Sequence, residues 1–392
     1  MDRNRLRKTL AIAAGLVGAF ASCAVLRAAD TLKIGSPAPS FSLPGVDGER
    51  YSLESFRNAE ILVIVFTCNH CPTAQAYEDR IKRLAADYKD KKVALVAISP
   101  NDPAAVRLDE MGYTDLGDSL DDMKIRAKDM EFNFPYLYDG ADQKVALAYG
   151  PVATPHVFVF DRARKLRFVG RIDNSDDPKR VTTHDTRDAI EALLAGKPVQ
   201  VEQTKTFGCS IKWAEKRESA HKSSEAAAKE KVALELIDEK GIKALVKNDG
   251  NKLRLVNVWA TWCGPCNEEL PELVAMNRMY RRRSFELVTI SADAPDIKER
   301  ALEVLKEKEV SANNYLFDGN DKYKLMDAVD AKSTGALPHT LLIAPGGKIL
   351  YSKSGPVDPL EMKKAIVGYL GRTYADDVRT KSGKPAANPE SK

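Results

Sequence analysis

Cysteine is scarce in this sequence. Six cysteines in 392 residues are too few to staple a chain of this length, which excludes a disulfide-knit scaffold. Excess charge of one sign is scarce as well. The chain carries 60 basic and 56 acidic residues, a formal net charge of +4. No basic stripe interleaved with aromatics appears, so nothing points to nucleic-acid binding. Long apolar runs are confined to one place, Leu10 to Leu26, behind the basic start Arg3, Arg5, Arg7 and Lys8. That is the layout of an export signal. Residues 1–29 are read as a signal sequence or an anchor. Ala19-Phe20-Ala21 offers a small-x-small cleavage site, Cys23 ends a loose lipobox, and the uncleaved run would be a short membrane span. All three fates export the chain. It would be periplasmic, or held at the inner membrane facing the extracytoplasmic side with its basic end inside.

What is present argues for two α/β units, because 392 residues exceed one ordinary core. The first is read over residues 31–213. Phe41 to Leu53 resembles a hairpin turning at Asp47-Gly48. Ile61 to Phe66 and Val93 to Ile98 are unbroken apolar runs of the kind buried on both sheet faces. A helical stretch is expected from Cys68, and a second hairpin over Val157–Phe160 and Leu166–Gly170. Residues 214–231, rich in Ala, Glu and Lys, read as a solvated helical linker. The second unit spans 232–374, with buried strands at Leu253–Trp259, Phe285–Ser291 and Thr340–Ala344, followed by Ile349–Ser352. The polar tail 375–392 is expected to lack structure.

The two units repeat one another. Each has an apolar strand, a Cys-x-x-Cys pair opening a helix, a second strand, and an x-Pro-His step before a hairpin. The pairs are Cys68/Cys71 and Cys263/Cys266; the steps are Thr154-Pro155-His156 and Leu337-Pro338-His339. Strand, cysteine pair, helix is the arrangement that disulfide exchange needs. A helix N-terminus favours the thiolate, and a second sulfur one turn on can resolve a mixed disulfide. For Cys263/Cys266 a permanent disulfide or a zinc half-site is the bland alternative, but no second ligand pair stands nearby for zinc.

In the second unit, Val256-Asn257-Val258-Trp259-Ala260-Thr261-Trp262-Cys263-Gly264-Pro265-Cys266 closely resembles the thioredoxin superfamily. The following Glu268, Glu269, Leu270, Pro271 and Leu273 resemble its TlpA/ResA branch. That resemblance implies Cys263 as nucleophile, Cys266 as resolving thiol, Trp262 as their shield, and Leu337-Pro338 as a cis-proline step facing the sulfurs. The first unit resembles the peroxiredoxin-like (redoxin, AhpC/TSA-related) family. The likeness rests on Ile98-Ser99-Pro100-Asn101-Asp102, Phe134-Pro135-Tyr136-Leu137, Thr154-Pro155-His156-Val157-Phe158 and Phe207-Gly208-Cys209-Ser210-Ile211-Lys212-Trp213. Together the resemblances imply two thioredoxin-like domains, each a central mixed sheet flanked by helices. The peroxidatic pattern Pro-x-x-x-Thr/Ser-x-x-Cys is missing before Cys68, where Ile61 and Val65 stand at its Pro and Thr/Ser positions. Disulfide exchange is therefore expected in the first unit in preference to peroxide reduction.

His70, between Cys68 and Cys71, is expected to favour the thiolate and make that pair more oxidising than Cys263/Cys266. Cys209 is a candidate resolving sulfur, although a small buried residue is the plainer reading. Thr154 and Leu337, ahead of Pro155 and Pro338, are expected to meet substrate through their backbones. Arg171 is read as a strand-end residue, and the acidic stretch Asp109–Asp122 as a solvated insertion. The expected activity is a thiol–disulfide oxidoreductase acting on protein thiols with an unidentified electron donor. No cofactor or metal is assigned. The alternatives are a thiol peroxidase using Cys68, and a copper chaperone using Cys68, Cys71 and His156 or His184.

Overall fold

The computed structural model describes residues 30–381, so the export reading of residues 1–29 falls outside it. Among the described residues no helix is long and apolar enough to cross a membrane.

The hairpin expected near Phe41 is present as β1 (Ser42–Pro44) and β2 (Arg50–Ser52). The first main sheet holds β3 (Ile61–Phe66), β4 (Val93–Ser99), β5 (Tyr136–Tyr138), β6 (His156–Phe160) and β7 (Leu166–Gly170) in the order β5-β4-β3-β6-β7. All six β3 side chains are buried. Ile61, Val63 and Val65 pack with Tyr77 and Ile81 of the helix Pro72–Tyr88, while Leu62, Ile64 and Phe66 pack with Tyr149 and Phe158 on the other face. A strand covered on both faces is what an unbroken apolar run requires.

The second sheet holds β8 (Glu235–Ile237), β9 (Leu253–Trp259), β10 (Phe285–Ser291), β11 (Asn313–Phe317), β12 (His339–Ile343) and β13 (Ile349–Ser354) in the order β13-β12-β9-β10-β11-β8. The two sheets share one plan. The central strand has a parallel neighbour on one side and an antiparallel hairpin on the other: β4-β3-β6-β7 in one, β10-β9-β12-β13 in the other. With helices on both faces this is a pair of thioredoxin-like α/β units. The edge strands β5 and β8 are three residues long and lack an apolar run, so they carry little sequence signal.

Three expectations need correction. The first helix starts at Pro72, not at Cys68; proline at the first helical position leaves no amide wanting a partner. The polar tail begins with a helix, Tyr374–Lys381, anchored where Asp376 accepts from the Arg372 and Thr373 amides and Asp377 meets Arg283. The acidic stretch is not solvated throughout, since Asp115 and Asp118 are buried. Between the sheets runs the helix Arg217–Ala228, in which only Ala220 is buried.

The two halves touch through the far end of the helix Gly264–Tyr280. Tyr280 donates to the Thr114 carbonyl at 2.8 Å, and Arg283 to the Gly112 carbonyl at 3.1 Å. Arg372 pairs with buried Asp115 at 2.6 Å. Cys263 caps the opposite end of that 17-residue helix. At 1.5 Å per residue, the second sulfur site lies about 25 Å from this contact.

Candidate functional site: two sulfur centres in different registers

Strand pairing puts the two cysteine pairs on a common scale. Phe66 of β3 stands opposite His156, as Val258 of β9 stands opposite His339. Counting on from Phe66 and from Val258, Cys71 and Cys263 fall at the same step. Both are helix N-caps whose sulfur accepts a backbone amide: Ala74 at 3.4 Å for Cys71, Cys266 at 3.3 Å for Cys263. Cys68 therefore has its counterpart in Ala260, and Cys266 in Ala74. The identical spacing in sequence conceals a shift of one helical turn. Pro72 was the available signal, because proline just inside a helix start marks Cys71 as the cap.

In the second centre Cys263 and Cys266 form a disulfide with a Cα–Cα distance of 5.3 Å. Trp262 beside it is 63% exposed. The approach loop is held by Asp293, which accepts from the Thr261 amide at 2.9 Å and its hydroxyl at 2.8 Å. Leu337, before cis-Pro338, packs on the core cluster that contains both sulfurs. One turn beyond Cys266 is the buried Glu269, which accepts from Asn257 at 2.9 Å and from the Val357 amide at 2.8 Å. Burial outweighs these donors and holds its carboxyl above the usual range. Sequence reasoning could not assign Glu269 a role, since its burial depends on β9, β12 and the Val357 loop meeting around it.

The first centre is built differently. Cys71 is bonded to Cys209, and Cys68 is a free, buried thiol. The plainer reading of Cys209 as a small buried residue is thus replaced by a covalent partner of Cys71, and the Cys68–Cys71 bond suggested by spacing is not formed. The physical reason is the helix register, which makes Cys71 the cap. The Cys68 sulfur lies 3.2 Å from the Thr154 hydroxyl, and the Cys71 sulfur 3.5 Å from the Thr154 carbonyl. Thr154, before cis-Pro155, also exchanges backbone hydrogen bonds with Cys209, at 3.0 Å and 3.3 Å.

Cys68 faces a buried relay. His70 Nδ1 meets Asp118 Oδ2 at 2.6 Å, and both side chains are at most 2% exposed. Asp118 also accepts from Asn101 at 2.7 Å and from the Asn69 and His70 amides at 2.9 and 3.2 Å. Burial opposes a charged imidazole, but Asp118 and Cys68 outweigh it, and His70 is held well above the usual histidine value. Burial likewise opposes the Asp118 carboxylate, yet His70 and the donors around it keep its pKa below the usual range. Donor atoms of Cys68, His70 and Asp118 lie within 4.8 Å of one another. Their chemistry fits a hydrogen-bond relay better than a metal site, because Asp118 already accepts four hydrogen bonds and His70 Nδ1 is engaged by it.

The remaining candidates lie elsewhere. His156 accepts from the Val152 amide at 3.2 Å, and burial pushes its pKa down to about 4. His184 lines a separate cleft with Arg80 and Asp173. The set Cys68, Cys71 and His156 or His184 is therefore not assembled as a copper site. His339 bonds Ser354 at 2.9 Å, and Arg171 bonds Asp185 at 2.9 Å, the strand-end role expected of it.

Comparison with known proteins agrees with this chemistry. The AhpC/TSA family profile matches residues 34–169 and again 204–352, more than half of the chain. The thiol:disulfide interchange protein CycY of Rhizobium leguminosarum bv. viciae is 30% identical over 155 residues, covering 40% of this chain and 74% of that protein. The thiol-disulfide oxidoreductase ResA of Bacillus cereus is 26% identical over 156 residues, 38% of this chain and 80% of that protein. A solved structure of an uncharacterized conserved protein from Geobacillus kaustophilus is 38% identical, covers 46% of this chain and 92% of its own, and superposes with a TM-score of 0.42.

Proposed function

The chain belongs to the AhpC/TSA family, and from that membership and its two sulfur centres we propose that it exchanges disulfides with client proteins outside the cytoplasm. That it is an oxidoreductase of thiols and disulfides follows from its relatives. The extracytoplasmic setting rests on the basic start and apolar run of residues 1–29. We read 31–213 and 232–374 as the two working domains, with 214–231 as their connection.

The observation that carries the proposal is Cys263 at a helix N-cap, bonded to Cys266 and beside the exposed Trp262. Once the pair is reduced, the Cys263 thiolate attacks one sulfur of a client disulfide, forming a mixed disulfide as the client's other sulfur leaves as a thiolate. Cys266 then attacks the Cys263 sulfur and releases the client as a thiol. Glu269, a turn beyond Cys266, is the buried carboxyl suited to take the Cys266 proton. In the first domain the sulfurs at work are Cys68, Cys71 and Cys209, with Thr154 and Pro155 at the groove. The test is reduction of insulin by the full-length chain in the presence of a dithiol donor. Cys263→Ser is expected to lower the rate by about 10²-fold or more, as loss of a nucleophile should. An undiminished rate would overturn the assignment.

A further inference from the structure

Cys209 sits where a client would. Its backbone pairs in antiparallel fashion with Thr154 through two hydrogen bonds, and its sulfur is bonded to the helix-capping Cys71. That is the geometry of an extended peptide caught as a mixed disulfide. The close approach depends on Gly208, where a Cβ would lie 2.0 Å from the Thr154 carbonyl oxygen. Accessibility points the same way. Cys68 and Cys71 are 2% and 0% exposed, whereas Cys209 is only half-buried. Cys209 lines a cavity of about 360 Å³ between the two halves, together with His70, Tyr113, Lys212 and Arg283. Of the three sulfurs, the one a partner can reach is Cys209. The free thiol, Cys68, is packed with Cys71 and Cys209 in one small cluster.

We infer that the Cys71–Cys209 bond is an internal stand-in for a client disulfide, which Cys68 opens by exchange, with His70 as the counter-ion of its thiolate and Asp118 as the residue that positions the imidazole. This deepens the reading of the first half as a disulfide-exchange site and rests on it. The Cys68 proton leaves to solvent, and the charged His70 balances the thiolate. The Cys68 sulfur attacks the Cys71 sulfur; the Cys68–Cys71 bond forms as the Cys71–Cys209 bond breaks. The electron pair leaves on Cys209, which takes up a proton. One disulfide and one thiol exist before and after, so no oxidant or reductant is consumed. The products are a disulfide between the cysteines of the sequence motif, a free Cys209 thiol at the cavity, and a Thr154 edge that an outside peptide can occupy.

The groups around this step are few. Asp118, Tyr136 and Glu78 lie on the buried side. The ion pairs Lys212–Glu110 and Arg282–Asp109, with Arg283, lie on the cavity side. Among these acids, Asp118 is the one bonded to the imidazole.

The experiment treats the full-length, unreduced chain with excess maleimide under native conditions and maps labels and disulfides by mass spectrometry. The expected result is label on Cys209 with Cys68 recovered bonded to Cys71. In Cys68→Ser, or Cys68→Ala should the serine variant misfold, label on Cys209 should be lost and Cys71–Cys209 retained. In Asp118→Asn, labelling of Cys209 should slow by about 10²-fold at neutral pH, as for a thiolate whose imidazolium counter-ion is no longer held charged. It should recover toward the wild-type rate near pH ~9, where a cysteine ionises unaided. A purely structural role for Asp118 would slow labelling equally at every pH. Label on Cys68 with Cys71–Cys209 intact, equal labelling of Cys209 without Cys68, or no label on any of the three would each overturn the inference. The step needs neither client nor donor, so it can fail while insulin reduction proceeds.

Discussion

Cys71 and Cys263 occupy the same place in the two halves, yet they are supported in opposite ways. At Cys263 the second sulfur lies inside the helix, one turn on, and the flank is the exposed Trp262. At Cys71 the second motif sulfur lies before the helix, and the bond goes instead to Cys209 from 138 residues away. Ala74 fills the position that Cys266 holds in the other half. Cys68, removed from the helix terminus, is served by His70 and Asp118 in place of the helix dipole. The difference teaches that a Cys-x-x-Cys spacing does not define a site. The distance from the strand end to the helix start decides which sulfur is capped, and the other sulfur takes whatever environment remains.

The comparison breaks most readily at Asp118. Replacing it by Asn leaves a buried imidazole without its carboxylate and should cost the first half roughly 3–5 kcal/mol near neutral pH, read by urea unfolding. Trp262→Ala, beside Cys263, should come nowhere near that loss, because its side chain is exposed. The sign with pH is fixed by both partners. His70, raised in the folded state, contributes fully below its unfolded value of about 6.5 and loses the contribution as pH rises through its folded value. Asp118, lowered, contributes above its unfolded value of about 3.9 and loses the contribution as pH falls through its folded value. The gap between wild type and Asp118→Asn should be widest between these limits and close on either side.

A smaller effect is expected at Gly208. Alanine there has φ of +143° to satisfy and a carbonyl in its way, and should cost about 1–3 kcal/mol of first-half stability. It should also raise access to Cys209, measured as faster alkylation after reduction. An unchanged rate would separate the Thr154 bridge from control of that sulfur. The smallest change in stability belongs to Trp262→Ala, within about 0.5 kcal/mol for so exposed a side chain. Its effect should appear in exchange with protein clients and leave small disulfides unaffected. Equal slowing of both would remove Trp262 from client contact.

The large elements were legible because burial on both faces writes itself into local composition. Ile61–Phe66 and Leu253–Trp259 are strands in the structure with the limits expected of them. The cysteine motifs and both proline steps were equally plain, and so was the likeness of the two halves. The outer strands escaped notice, because three-residue segments such as Tyr136–Tyr138 and Glu235–Ile237 owe their conformation to a neighbour's edge and to little in their own side chains.

By itself, then, the sequence determined two α/β units with a cysteine pair at the head of a helix in each, since apolar periodicity and helix-start chemistry are local properties. Only the tertiary structure decided which sulfurs meet. Cys209 reaches Cys71, Asp118 reaches His70, and Glu269 is buried behind Cys266 through contacts between residues far apart in the chain. Such contacts are set by how sheets, helices and loops pack, and no local pattern records them.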